Sequence, residues 1–306
     1  MKIFISKLNE SWIIDRVRKE WIQNNKSTTA RYIRNANVIW IIAPWLWKNI
    51  PKKHLENKIV VCSIYHLDGS NHEKKDFLDR DRYVDYYHVI SKKTEKQISD
   101  LTTKKISSIP FWVDENLFFK IENKHNLRDE LRLENKKFYI GSFQRDTEGS
   151  DLTSPKLIKG PDRFIKIVES KFKTDPNIEV VLTGKRRQYV ISELTKRGIP
   201  FKYFEMVDSK LLNKLYNILD LYIVSSRIEG GPQAIIECGL SKTPIISTDV
   251  GVASEILSPK SIFDMSNYDK ALPDIKVAYK NSLEYNLING QKLFRNMFSE
   301  VEKLFF

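Results

Sequence analysis

Residues 226–251 read SRIEGGPQAIIECGLSKTPIISTDVG, which sets Glu229 and Glu237 eight positions apart with a Gly-Gly-Pro turn directly after the first. An acid in a loop and a second acid in the helix that follows can hold two parts of one elongated polar ligand, because carboxylates accept hydrogen bonds from paired hydroxyls. The same spacing also suits a helix-start acid favoured by the macrodipole plus a surface residue, so the pair alone leaves both readings open. Gly230 and Gly231 let the backbone come close to a ligand, Pro232 presets the first helical turn, and the amides there can receive an oxyanion or a phosphate. Upstream, GSFQRDTEGSDLTSPKLIKGPDRF offers Arg145 after an apolar run and Lys159-Gly160 opening a helix. Two cations at one sheet edge can neutralise a departing diphosphate, the arginine as a bidentate fork and the lysine as a point charge. Lys156 competes with Lys159 for that role, and a solvated basic loop is the plainer alternative. In KIVVCSIYHLDGS, His66 lies just past a strand-like run, where an imidazole can bond a sugar hydroxyl or act as a partly buried structural group.

The elements that must position these residues are legible as apolar runs of strand length at 2–6, 38–43, 59–64, 86–90 and 105–110, separated by longer mixed stretches. After the charged segment at 115–135 the pattern restarts at 138–143, 178–184, 201–206, 219–226 and 243–248, with helical periodicity at 159–172 and 209–219. This alternation predicts an α/β protein of two Rossmann-like, doubly wound parallel-sheet domains. The expected divisions are 1–120, 121–285 and a final helix, 286–306, that crosses back to the first domain. In such sheets ligands sit beyond the carboxyl ends of the strands where strand order reverses, so two facing edges would make one cleft. Glu229, Arg145, Lys159, His66 and Gly184 (in LTGKRRQYV) all fall on loops at carboxyl ends.

At 306 residues, with 41% hydrophobic and 11% aromatic residues, the chain is a two-domain globular protein rather than a disordered one. Its longest apolar runs fall short of the roughly 20 residues a membrane-spanning helix needs. The start, MKIFISKLNE, reads as a first strand rather than a signal peptide, and Cys62 and Cys238 have no metal-ligand spacing, so a reducing cytoplasm is expected. The net charge of +12 is uneven: residues 1–120 hold 22 Lys and Arg against 14 Asp and Glu, a balance of +8. All six tryptophans (Trp12, Trp21, Trp40, Trp45, Trp47 and Trp112) lie in that part too. Tryptophan with lysine suits an anionic headgroup layer, while the plainer reading makes the rings core and the lysines solvated surface.

Glu229, Gly230, Pro232, Glu237, Gly239, TPIISTDVG and SEIL with Glu255 together resemble the nucleotide-sugar signature of retaining glycosyltransferases of the GT-B fold, the group 1 or family 4 type. Cys238 stands where that family usually has alanine. Arg145 and Lys159-Gly160 are similar to its diphosphate-gripping element, although the insert between them is long. Pro110, Val113, Asp114 and Phe118 match the run that closes its first domain. FISKLNESW lacks the glycine pair that often lines its acceptor side. The resemblance implies Glu229, His66, Arg145 and Lys159 as catalytic residues, and Gly230, Gly231, Pro232, Glu237, Gly184 and Ser226 as donor-binding residues.

The implied reaction is metal-independent transfer of a hexosyl group with retention, from a UDP-sugar or GDP-sugar to a glycan or lipid-linked acceptor in glycan biosynthesis. No further cofactor, no metal and no nucleic-acid partner is expected. An anionic surface at the inner face of the membrane is a candidate partner, with peripheral attachment. A nucleotide-sugar epimerase or phosphorylase on the same fold is the nearest rival, followed by a nucleic-acid binder using the basic first domain. A Rossmann dehydrogenase is excluded, because neither domain carries G-x-G-x-x-G.

Overall fold

The computed structural model describes residues 1–8, 13–149 and 152–306. Trp12 and the end of the FISKLNESW segment lie outside the described residues. The chain divides into two compact units, Met1–Trp112 with Leu287–Phe306, and Val113–Asn286. The division falls before the expected 120/121 boundary. Val113 already bonds within the second unit, its amide donating to Tyr285 O at 2.9 Å.

The strands of the first unit are β1 (Ile3–Ile5), β2 (Val38–Ile41), β3 (Ile59–Ile64), β4 (Tyr86–Val89) and β5 (Lys105–Ser108). All pair in parallel, in the order β1-β2-β3-β4-β5. Helices α1 (Ile13–Asn24), α2 (Lys52–Asn57), α3 (Asn71–Asp81) and α4 (Lys92–Ser99) connect them. The expected reversal of strand order does not occur among the described strands of this sheet. Its single core is aromatic: Trp21 of α1 meets Trp40 of β2 edge-on, with centroids 5.6 Å apart, and Trp112 lies beside both Trp21 and the C-terminal segment's Phe294. Trp21, Trp40 and Trp112 are fully buried, so the headgroup reading fails for these three: their rings fill the core because large apolar faces leave water first. Trp47 is half-buried and Trp45 is exposed.

The second unit holds α5 (Lys124–Glu130), β6 (Phe138–Ser142), α6 (Pro161–Thr174), β7 (Ile178–Thr183), α7 (Gln188–Lys196), β8 (Phe201–Phe204), α8 (Ser209–Ile218), β9 (Leu221–Val224), α9 (Gln233–Ser241), β10 (Ile245–Thr248), α10 (Ala253–Ile256), β11 (Ile262–Phe263) and α11 (Ile275–Ser282). The sheet is parallel in the order β11-β10-β9-β6-β7-β8. Successive strand residues point to opposite faces, and the core follows that rule. Tyr139, Val181, Tyr222 and Ile245 join one apolar cluster with α8, α9 and α11, while Ile140, Val180, Ile223 and Ile246 join another with α6 and α7. Both faces are therefore covered, and strand order reverses between β6 and β9.

Helix α12 (Leu287–Phe305) belongs to the first unit, where Phe294, Met297, Phe298 and Val301 join the aromatic core. No described helix is long and apolar enough to cross a membrane.

Candidate functional site

The reversal point of the second sheet gathers the loops after β6 and β9, flanked by those after β7 and β10. Lys159 Nζ lies 2.5 Å from Glu229 Oε1, and both side chains are mostly withdrawn from solvent, at 20% and 13% exposure. This contact joins the two motifs that the sequence placed 70 residues apart (159 and 229). Ser226, buried at the end of β9, donates to Gln144 Oε1 at 3.2 Å and stands 3.5 Å from Glu229 Oε1. Gln144 Nε2 in turn donates to Lys159 O at 2.7 Å.

The backbone is drawn tight beneath these side chains. Gly160 has a left-handed φ of 63°, and a Cβ there would stand 1.9 Å from Ser225 O. Only glycine fits both restraints, which is why Lys159 can sit directly over the end of β9. Gly251 plays the same part under the acidic turn: at φ 49°, its Cβ would meet Gly230 O at 2.1 Å. Thr248 Oγ1 closes the floor by donating to Ser226 O at 2.7 Å. Arg227 forks onto Asp162 at 2.7 and 2.6 Å, tying the first turn of α6 to the loop after β9. Those hydrogen bonds hold the Asp162 carboxyl below its ordinary value despite partial burial.

Lys156 lies close enough to Lys159 to feel its charge. Burial lowers the Lys156 ammonium from its usual value, the positive charges of Arg145 and Lys159 lower it further, and Glu148 and Glu229 oppose them. Arg145 lies at the exposed rim, its Nε donating to Thr147 O at 2.8 Å. Partial burial and the like charge of Arg186 lower the Arg145 guanidinium. Arg145, Lys156 and Lys159 thus lie near one another beyond these strand ends, with the carboxylates of Glu148 and Glu229 beside them, and the surplus of positive charge favours an anion.

The other sequence-predicted residues sort themselves by depth and by unit. Glu237 does not join the cluster; it is buried on α9 and accepts from the Tyr216 hydroxyl at 2.8 Å, which corrects the reading of it as a surface residue. Pro232 does not occupy the first helical turn. With ψ at 109° it caps α9 from outside, its carbonyl accepting from the Ile235 amide at 3.0 Å. Gly230 is buried and Gly231 half-buried in that same turn. Gly184, with φ 89°, follows β7 and its carbonyl accepts from the Tyr203 hydroxyl at 2.9 Å. His66 belongs to the first unit, half-buried after β3. Its loop is pinned to α4, where Thr94 Oγ1 donates to Tyr65 O at 2.7 Å and the Gln97 side chain bonds both polar backbone groups of Leu67. Thr248 and Gly251 were legible only as members of the TPIISTDVG run, with no role of their own, while Gln144 and the Asp162–Arg227 fork went unread, their only signal being position at the ends of β6 and β9 and the start of α6.

Among the described residues no group of three or more His, Cys, Asp or Glu side chains is placed to hold a metal ion. The sequence model of the family Glycosyl transferases group 1 matches residues 154–289, the stretch that carries Lys156, Lys159, Glu229 and the turn after it. Over this segment the chain is similar to the group 1 glycosyltransferases. The GT-B architecture of this chain is shared by solved structures at low identity. HepE of Anabaena, determined in complex with UDP-glucose, is 13% identical with a TM-score of 0.76, over 97% of this chain and 99% of that one. Sucrose-phosphate synthase of Thermosynechococcus elongatus is 14% identical with a TM-score of 0.68, covering 96% and 81%. A glycosyltransferase of Rickettsia africae is 15% identical with a TM-score of 0.66, covering 97% and 84%. No curated protein sequence matches the chain.

Proposed function

We propose that this chain is a group 1 glycosyltransferase that moves a hexosyl group from a nucleoside-diphosphate sugar to a hydroxyl of a glycan or lipid-linked acceptor, with retention at the anomeric carbon and without a metal. The observation that carries the reading is the Lys159–Glu229 contact at the reversal point, with Lys156 and Arg145 on the same side. The donor's diphosphate lies against these cations and the turn at Gly230 and Gly231, and Gly184 borders the nucleoside. Ser226 holds the floor beneath the sugar, and Glu237 reaches the ribose from below. HepE, bound to UDP-glucose, shares the fold and makes a UDP-sugar the first donor to test.

In the transfer, the bond from the anomeric carbon to the diphosphate oxygen breaks while the acceptor oxygen bonds that carbon on the same face. The acceptor's proton passes to the departing phosphate oxygen. Lys159, Lys156 and Arg145 stabilise the negative charge growing on the leaving group, in a partly dry setting where fixed charges act strongly. Glu229 orients Lys159 and accepts a hydrogen bond from the donor sugar, and His66 bonds a hydroxyl of a sugar. An anionic membrane surface is the corresponding place of work for a lipid-linked acceptor, and binding to anionic vesicles at low salt tests it separately.

A thermal-shift screen against UDP, GDP, UDP-glucose and GDP-mannose tests the core of the reading, because a ligand that binds only the folded state raises the melting temperature. A shift with at least one of these is expected. No shift with any of them, at millimolar concentration, sinks it. The anomeric configuration of the product, read by proton NMR coupling constants, decides retention.

A further inference from the structure

The arm that carries Arg145 and Lys156 is fastened from below by a pair of charges the reaction does not use. Lys156 N donates to Asp146 O at 2.8 Å, Glu148 N to Ser154 O at 3.0 Å, and Thr147 bridges Pro155 in antiparallel sense, so the stretches 146–148 and 154–156 lie side by side as one arm. Asp146 turns inward beneath it, and Arg187, at the head of α7, meets it with Nε 3.3 Å from Oδ2. Both side chains are sealed from water, at 2% and 1% exposure. Yet none of the three guanidinium nitrogens and neither carboxylate oxygen has a hydrogen-bond partner among the described residues. The Tyr189 and Val190 amides lie near enough to favour the charged carboxylate without completing that geometry.

Such a pair does not account for itself as a source of stability. Sealing two charges from water is costly, which an unbonded contact repays poorly, and apolar replacements of buried pairs are often neutral or better. What the pair does fix is placement. Asp146 N donates to Arg186 O at 3.0 Å, and Arg186 Nη1 donates to Gly149 O at 3.0 Å, so the arm and the loop after β7 meet at this one point. Arg186 takes a left-handed φ of 61°, unfavourable for a side chain of its kind, to make that meeting. With Asp146 held inward, the preceding Arg145 is directed to the rim.

We infer that the Asp146–Arg187 pair is a positioning lock, and Arg187 a positioning residue for the donor: it holds the arm formed by 145–148 and 154–156 in the one register that presents Arg145 and Lys156 to a diphosphate. The inference rests on the donor site proposed above. It couples the loop after β7, on the nucleoside side, to the arm on the diphosphate side through a contact that touches neither.

The test uses the full chain with Arg187→Met and the double variant D146L/R187M, which removes the pair without leaving a lone buried charge. UDP-glucose and GDP-mannose affinity and amide hydrogen exchange are read together. In the double variant we expect a melting temperature close to wild type, exchange accelerated in peptides spanning 144–156 alone, and affinity for the better donor weakened by about tenfold or more. Wild-type arm protection with affinity within about twofold overturns the lock. If wild type binds neither donor, the reading of function fails, and the exchange of the arm decides the lock by itself. Should both variants fail to fold, the unaltered protein decides it. Burial raises the Asp146 carboxyl to about 6 against the opposing pull of Arg187, with Tyr203 and Tyr222 facing the pair and Arg145, Glu148, Lys156 and Arg186 around the arm. Protonation at pH 5 then releases the arm, and exchange of 144–156, corrected for the intrinsic rate, rises relative to pH 7.5; an unchanged ratio overturns the inference.

Discussion

The two units of this protein are built from the same parallel strand-and-helix alternation and spend it differently. In the first, strands lie in chain order over a core of stacked rings, and the buried titratable group at its heart, His88, is kept neutral. In the second, strand order reverses between β6 and β9, and that break is where charges collect. A reversal leaves two neighbouring strand ends whose loops depart in opposite directions, opening a crevice that polar side chains can line. Chemistry follows the interruption in the sheet, and cohesion follows its continuity.

The contrast can be broken at its strongest point with Trp40→Ala. The ring packs on Trp21, Phe294 and Phe298 and donates to Ser63 Oγ at 2.8 Å. Its loss is expected to lower unfolding free energy by about 3–5 kcal/mol in chemical denaturation. A loss near zero would refute the account of the first unit as ring-stabilised. Lys159→Ala is the counterpart in the second unit. We expect turnover to fall by roughly 10²–10³, about 2.7–4 kcal/mol of barrier, as for loss of one charge-stabilising donor, with little change in far-UV dichroism. Wild-type turnover would separate the Lys159–Glu229 contact from catalysis.

Acid should sharpen the comparison next. Burial lowers the His88 imidazole to about 4, while its nitrogens bond Ser63 Oγ at 2.9 Å and Ile109 O at 2.7 Å between the rings of Phe111 and Phe294. The unfolded chain binds a proton near 6.5 and the folded one does not until about 4. Stability supplied by the neutral ring is therefore present above pH 6.5 and lost as pH falls toward 4, by about 3 kcal/mol in all. Every tryptophan lies within residues 12–112, so indole fluorescence reports the first unit. Denaturation midpoints followed that way should drop across this window in wild type and hold steadier in His88→Phe. The smallest effect is expected at Trp45, which is 43% exposed. Trp45→Ala should change stability by no more than about 0.5 kcal/mol and remove the most solvent-relaxed part of the emission. A cost like that of Trp40 would show that exposure does not separate the two rings.

Legibility in the sequence followed the range of the interactions. Strands such as 59–64 and 178–183 were plain because a fully buried parallel strand writes itself as an unbroken apolar run. Glu229 with its glycine turn was plain because motif and loop are local. Strand order was not, since adjacency of β6 and β9 depends on pairing across 80 residues that no local pattern encodes. Two-residue β11 is too short to show a period. Whether Glu237 was a ligand-holding or a surface acid stayed open in the sequence, because its partner, Tyr216, comes from a different helix. Arg187 stood in a run of three cations, Lys185 to Arg187, with nothing to mark which one turns inward; only the approach of Asp146 decides it.

Helix α12 carries a consequence for how the molecule comes into being. Its Phe294 and Phe298 complete the ring stack around Trp40, so the first unit closes only after Val113–Asn286 has been made. Until those final turns arrive, nascent β1 to β5 expose indole faces that a chaperone would cover, whereas Val113–Asn286 is already whole. Closure of the sheet made earlier therefore waits until the whole of the second unit has been translated.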